Sequence, residues 1–170
     1  PTFRHKAYAG YKAKRTGMPE ELAQQFPTLK ELLSLLGYKI VECAGYEADD
    51  ILGTLAKSCE VNGNECIIAT GDKDSLQLVS DNVSVRLMAT KMGKPEVTLY
   101  DTAKIKEIYG VEPRKLIDIK AIQGDTSDNI PGIKGIGEKG AKDLIGRFGS
   151  IDYIYENIDK IDKNISKKLI

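Results

Sequence analysis

Three short segments of the chain concentrate carboxylates at spacings that suit metal chemistry. In Tyr46-Glu47-Ala48-Asp49-Asp50, three acids fall within four positions between a strand-like run and a helix-like run. One or two acids at a helix start only complement its dipole. Three exceed that need, and Glu47 and Asp50, three apart on one face, raise each other's proton affinity unless a cation lies between them. Thr70-Gly71-Asp72-Lys73-Asp74 repeats the arrangement at a second strand end, where Asp72 could equally serve as a plain N-cap. Gly124-Asp125-Thr126-Ser127-Asp128-Asn129 again sets two acids three apart, in residue types that are also ordinary in loops. Together Glu47, Asp49, Asp50, Asp72, Asp74, Asp125 and Asp128 predict one pocket for divalent metal. Hard oxygens without His or Cys partners suit Mg²⁺ or Mn²⁺ better than zinc. Two such ions roughly 3.5–4 Å apart would activate a water and stabilise the leaving oxygen in phosphodiester cleavage. The one histidine, His5, lies far from the acids in sequence and is expected at the surface or on a phosphate.

The cations are as localised as the acids. Arg4, Lys6, Lys12, Lys14 and Arg15 precede Pro19 with no acid among them, although the whole chain balances 25 Lys+Arg against 25 Asp+Glu. A basic stretch beside concentrated carboxylates suits a metal-dependent enzyme acting on a polyanion. Tyr8, Tyr11, Lys12 and Arg15 fall three or four apart, on one face if helical, offering exposed rings for bases and cations for the backbone of a single strand. Further on, Ile130-Pro131-Gly132-Ile133-Lys134-Gly135-Ile136-Gly137-Glu138-Lys139-Gly140-Ala141 places close glycines before a helix. Backbone amides there can approach a phosphate, and Lys134 and Lys139 add charge. The run is no dinucleotide fingerprint, since no strand precedes it; the plain alternative is a helix-turn-helix corner whose glycines serve packing alone.

Elements must hold these segments in place. Met18-Pro19-Glu20-Glu21 opens a helix that Leu29, Leu32, Leu33 and Leu36 continue to a stop at Gly37, with a bend at Pro27. Alternation predicts a strand over Tyr38–Cys43, then a helix from Ala48 to Cys59. A second strand over Glu65–Thr70 leads into a short helix through Leu76 and Val79. Val83–Met88 and Glu96–Tyr100 flank Gly93 and predict a hairpin. Beyond Asp101 only helices are expected, over Thr102–Tyr109, Pro113–Gln123, Gly137–Phe148, Ile151–Glu156 and Lys163–Ile170. The fold class is α/β, a mixed and mostly parallel sheet flanked by helices, with a helical C-terminal subdomain. At 41% hydrophobic content a disordered chain is excluded. No apolar run is long enough for a membrane, and Cys43, Cys59 and Cys66 lack Cys-x-x-Cys spacing, so a soluble, cytoplasmic protein without disulfides or structural zinc is expected.

The segments Phe3-Arg4-His5 to Arg15, Gly45 to Asp50, Thr70 to Asp74 and Gly124 to Ala141 closely resemble, in order and nearly end to end, the 5′-nuclease domain of bacterial DNA polymerase I, part of the flap endonuclease family. The resemblance implies a PIN-like core and a structure-specific nuclease that cleaves 5′ flaps and 5′ ends of DNA and removes RNA primers. It implies that Glu47 and Asp49 hold a first Mg²⁺, that Asp72, Asp74 and Asp128 hold a second, and that Asp50 and Asp125 support them. Tyr11, Lys12 and Arg15 match the arch that holds the scissile phosphate, with Arg4 and Tyr8 beside them on DNA. Gly132, Lys134, Gly135, Gly137 and Lys139 match a helix-three-turn-helix that grips duplex DNA and often holds K⁺. The implied division, within one structural domain overall, is a basic arch segment and helix at 1–37, an α/β metal-binding core at 38–123 and a DNA-binding subdomain at 124–170. The family also carries two aspartates upstream of Phe3-Arg4-His5, on a segment that includes a central strand. By the resemblance, roughly the first 60–70 residues of such a domain are expected to be absent from this chain, which predicts at most one well-occupied Mg²⁺ site. A polymerase region is expected beyond Ile170, in a bacterial, nucleoid-associated protein. A stand-alone flap endonuclease and a non-catalytic, structure-specific DNA-binding module remain as alternatives.

Overall fold

Apolar, largely β-branched residues at alternating positions build the sheet of this protein, whose computed structural model describes residues 1–169. Strand β1 (Cys66–Thr70) lies parallel to β2 (Val83–Lys91), with Cys66 opposite Val83 and Thr70 opposite Leu87. β2 then runs antiparallel to β3 (Lys94–Tyr100), giving the order β1-β2-β3. Met92 and Gly93 join them with φ of 51° and 76°. Two successive positive values match the right-handed twist of a two-residue hairpin, so the expected hairpin is present. The sheet is mixed, as the strand pattern implied, with one parallel and one antiparallel pairing among the described strands. Along β2, Val83, Val85 and Leu87 are buried while Arg86 and Met88 are exposed, the period of two that a half-covered sheet requires.

The chain divides into two compact units, one of Pro1–Ile51 with Ser127–Asn129, the other of Leu52–Thr126 with the residues from Ile130 on. The second holds the core. Helix α4 (Ala48–Val61) contributes Ala56 to it, and the expected short helix after β1 is a 3₁₀ helix over Lys73–Leu78 that buries Leu76. Helix α5 (Thr102–Tyr109) starts where Asp101 Oδ1 accepts the Lys104 N–H at 2.7 Å and ends at left-handed Gly110. A 3₁₀ turn over Pro113–Lys115 leads into α6 (Leu116–Gln123), which buries Leu116, Ile119 and Ile122. Ala141, Leu144 and Ile145 of α7 (Glu138–Phe148) and Ile154 of α8 (Ile151–Glu156) complete the main packing, and α9 (Lys163–Leu169) adds Leu169. Ile170, the last residue of the expected final helix, lies outside the described residues. Among those described, no helix is long and apolar enough to cross a membrane.

The first unit corrects three expectations. Tyr38–Cys43 forms no strand: no ladder partner exists for it among the described residues, and Tyr38, Ile40 and Val41 are exposed. Alternation prepares a segment for a sheet, but a strand exists only when a neighbour supplies the hydrogen bonds. The bend at Pro27 is a full break between α2 (Glu20–Ala23) and α3 (Phe26–Leu35), with the proline in the new helix's first turn, where a missing N–H is harmless. None of the leucines of α3 is buried. Finally, α1 (Phe3–Ala7) stops before Tyr8, and Tyr8 to Arg15 is a series of turns with Lys12 at φ 56°. Tyr8, Tyr11, Lys12 and Arg15 therefore share no helical face, and Tyr11, expected as an exposed ring, is only 7% exposed.

Two glycines of the loop after α6 owe their identity to close packing. A Cβ on Gly132 would stand 2.2 Å from the carbonyl carbon and oxygen of Gln123, and one on Gly124 (φ 75°) would stand 2.2 Å from the Gly132 nitrogen. Their approach lets the Ile133 N–H donate to the Ile122 carbonyl at 2.7 Å. Gly146, exposed within α7, leaves open space around the position a methyl would take, with nothing within 4 Å. Gly132→Ala is expected to cost about 3 kcal/mol of stability, whereas Gly146→Ala should add about 0.5–1 kcal/mol by removing backbone freedom from the unfolded helix. Urea unfolding of both variants checks this; equal midpoints would show that the close approach relaxes without strain.

Candidate functional site

In the first unit, one basic segment reaches three acids. Arg4 projects from α1 and forks onto Asp50, with Nη1 2.7 Å from Oδ2 and Nη2 2.8 Å from Oδ1. The Glu47 N–H also donates to Asp50 Oδ2 at 2.9 Å. The Arg4 hydrogen bonds, followed by that backbone N–H, hold the Asp50 carboxyl down at about 2. Glu47 Oε2 accepts from Lys12 Nζ at 2.7 Å and from the Tyr11 hydroxyl at 2.9 Å. Burial pushes Glu47 upward, but these two donors outweigh it, and the group lies below its ordinary value. Burial likewise pulls Lys12 down, and its bonds to Glu47 and Tyr11 overcome it, so its ammonium is strengthened. Tyr11 is raised, chiefly by burial. Mutual repulsion between Glu47 and Asp50 is thus answered by a separate cation on each.

Arg15 pairs with the Asp128 carboxylate, and the Lys12 N–H donates to the Asp128 carbonyl at 2.9 Å. Asp49 is exposed in the first turn of α4. His5 is exposed, accepts the Thr2 N–H on Nδ1 at 3.2 Å and stands edge-on to Tyr11, so within the unit it trims the start of α1. Tyr8 donates from its hydroxyl to the Asn129 carbonyl at 3.2 Å.

In the second unit, Asp72 Oδ1 accepts the Asp74 N–H at 2.9 Å and so caps the 3₁₀ helix after β1, the plain role its position allowed. Asp74 and Asp125 are bridged by Lys120, whose Nζ lies 2.8 Å from Asp74 Oδ1 and 2.9 Å from Asp125 Oδ2. Burial lowers the Lys120 ammonium, and the two carboxylates more than restore it, leaving it above its ordinary value. Sequence reasoning missed this lysine. It stands on α6, and only the tertiary fold brings the strand-end Asp74 to it. Lys120 also lines a cavity of about 170 Å³ with Asp74, Tyr109, Gln123 and Glu138. Beyond it, Lys134 and Lys139 are exposed, Gly137 caps α7 without a side chain, and the Gly135 carbonyl accepts from Lys168 at 3.0 Å.

The carboxylates are all hard oxygen donors, which by chemistry fit Mg²⁺ or Mn²⁺. Among the described residues, no three His, Cys, Asp or Glu side chains stand together as a preformed cage. Glu47, Asp50, Asp74, Asp125 and Asp128 each meet an ammonium or guanidinium instead.

A mixed sheet with acid-bearing loops, followed by a run of helices with a glycine-rich corner, defines a class that comparison with known proteins identifies. Residues 1–110 match the model of the 5′-3′ exonuclease N-terminal resolvase-like domain, and residues 111–170 match the 5′-3′ exonuclease C-terminal SAM fold. The chain belongs to the 5′-3′ exonuclease family. It is 49% identical over 163 residues to DNA polymerase I of Chloroflexus aurantiacus, covering 95% of this chain and 17% of that protein. It spans about a fifth of the length of the curated relatives it matches. A flap endonuclease of bacteriophage T5, solved as a pseudo-enzyme-product complex with DNA and metal ions, superposes with a TM-score of 0.78 at 27% identity, covering 98% of this chain and 64% of that one. A second structure of the phage T5 5′-exonuclease, with bound zinc, gives a TM-score of 0.76 at 27% identity, covering 99% and 64%.

The fork on Asp50 has a measurable signature. Carbon-detected NMR titration should place the Asp50 carboxyl at about 2, and Arg4→Met should return it toward 3.8. Because the folded value lies below the unfolded one, the pairing stabilises the fold above about pH 4, and its contribution is lost as pH falls toward 2. With both side chains partly exposed, solvent screening limits that contribution to about 1 kcal/mol. A wild-type Asp50 titrating near 4 would contradict the fork.

Proposed function

We propose that this chain is the larger part of a structure-specific 5′ nuclease domain, attached in its parent protein to a polymerase region, that hydrolyses phosphodiesters at 5′ flaps and ends of DNA and at RNA primer junctions. The observation that carries this reading is that Arg4, Lys12 and Arg15, from one short segment, each sit on a different acid of the candidate site. Such cations can exchange a carboxylate for a phosphate without moving far, which places anionic substrate beside the acids. Lys12 and Arg15 would take the scissile phosphate, with Tyr11 supporting Lys12, and Arg4 and Tyr8 would follow the adjoining strand. Lys134, Lys139 and the backbone around Gly135 and Gly137 would contact duplex phosphates, and K⁺ would sit at that corner. Gly132 would act through packing.

Glu47 and Asp49 would ligate one Mg²⁺ or Mn²⁺, and Asp72, Asp74 and Asp128 a second, with Asp50 and Asp125 orienting them. When bound, such ions polarise the phosphodiester and acidify a water. The work of the chain's own residues is to keep these acids ionised. Arg4 does so for Asp50 and Lys12 for Glu47, while Lys120 places one ammonium between Asp74 and Asp125. A DNA-binding module without cleavage is the second reading, favoured by the cation of the chain that sits on each of Glu47, Asp50, Asp74, Asp125 and Asp128.

Affinity for flap and duplex DNA, measured by fluorescence anisotropy across a salt series, tests the DNA-contacting elements separately. Replacing Lys134 and Lys139 by Ala should weaken duplex binding for all sequences and flatten the salt slope by about one to two units. Lys12→Ala should leave duplex affinity intact and weaken flap binding. Cleavage of the flap in Mg²⁺ or Mn²⁺, lost in Asp74→Ala, supports the nuclease; tight flap binding with no cleavage in either metal supports the second reading. Unchanged DNA affinity in both lysine variants would remove the basis for either.

A further inference from the structure

The turn series Tyr8–Arg15 has no helix or sheet to hold it, yet it aims Lys12 at Glu47 within 2.7 Å. Lys12 does this from a left-handed backbone, φ 56°, which a lysine adopts only when its surroundings impose it. Three hydrogen bonds impose it, and all come from the tip of the loop at residues 128 and 129. The Asn129 side-chain Nδ2 donates to the Gly10 carbonyl at 2.8 Å, the Asn129 carbonyl accepts from the Tyr8 hydroxyl at 3.2 Å, and the Asp128 carbonyl accepts the Lys12 N–H at 2.9 Å. Asn129 is itself left-handed, φ 57°, a conformation that Asn tolerates better than other residues with a side chain. It therefore satisfies two demands at once: a backbone few residues accept, and an amide donor at a fixed distance.

We propose that Asn129 is a positioning residue that clasps the 8–12 turn and thereby holds the Lys12 ammonium on Glu47. The functional weight of that placement rests on the reading of Lys12 as a contact for the scissile phosphate; the clasp itself does not. Asn129 carries no charge and bonds to none of the acids in the contacts above, so its effect on the site passes through Lys12. Arg4, which holds Asp50 from α1, lies outside the clasped turn and serves as an internal control.

The test uses the isotope-labelled chain and follows the side-chain carboxyl carbons of Glu47 and Asp50. Asn129→Gly keeps the left-handed backbone and deletes the donor; Asn129→Asp keeps the shape and sets a carboxylate against the Gly10 carbonyl. In both variants the Glu47 signal should move to the position it takes in Lys12→Ala, while the Asp50 signal stays. Affinity for 5′-flap DNA should fall by about five- to tenfold in each, the size expected for one lost hydrogen bond near a charge, with no further loss when combined with Lys12→Ala. A Glu47 signal unmoved in both variants overturns the proposal. So does displacement of Glu47 and Asp50 together, which would mark general loosening. If Glu47 moves but flap affinity is unchanged in both Asn129 variants and in Lys12→Ala, the clasp stands and the reading of Lys12 as a phosphate contact fails.

Discussion

Carboxylates crowded at strand and helix ends repel one another unless positive charge lies among them, and this requirement organises much of what surrounds the acids of this chain. Arg4, Lys12 and Arg15 meet it in the first unit and Lys120 in the second. The choice of cation follows geometry. The planar guanidinium of Arg4 matches both oxygens of Asp50, while the ammonium of Lys120 can sit between Asp74 and Asp125 as a point charge with donors for each.

Such pairs would add little if they were fully solvated. Here the acids are partly buried, so leaving one without a partner would cost more than the pairing gains. The backbone bends accordingly. Lys12 and Asn129 adopt left-handed conformations in the same unit, and Tyr11 gives up exposure of its ring so that its hydroxyl reaches Glu47. Local strain of this kind concentrates where side chains must be aimed and is uncommon where they only fill space. The second unit shows the contrast: its core of Ile68, Leu76, Val85, Ile105, Ile122 and Ile145 lies in ordinary strands and helices.

Much was legible in the residues themselves. The hairpin over Val83–Tyr100, with Gly93 in its turn, the helix Thr102–Tyr109 and the helices from Leu116 onward stand where the local pattern of residues placed them. The acids were legible as a set because their types and spacing are local properties. Membership of the 5′-3′ exonuclease family follows the same order of motifs along the chain.

What the chain order could not decide is which group each of those motifs meets. Tyr38–Cys43 has the pattern of a strand and lacks a ladder partner among the described residues, and Tyr11 has the spacing of a stacking ring and is buried on Glu47. Asp72 serves as a cap, Gly132 is required by the carbonyl of Gln123, and Lys120, carried on a largely apolar helix, joins two acids that lie far from each other in sequence. Propensity and periodicity act over a few residues, so the elements and the inventory of charges are already set in the order of amino acids. Pairing, burial and the left-handed turn at Lys12 depend on groups dozens of positions away, whose positions only the folded chain defines.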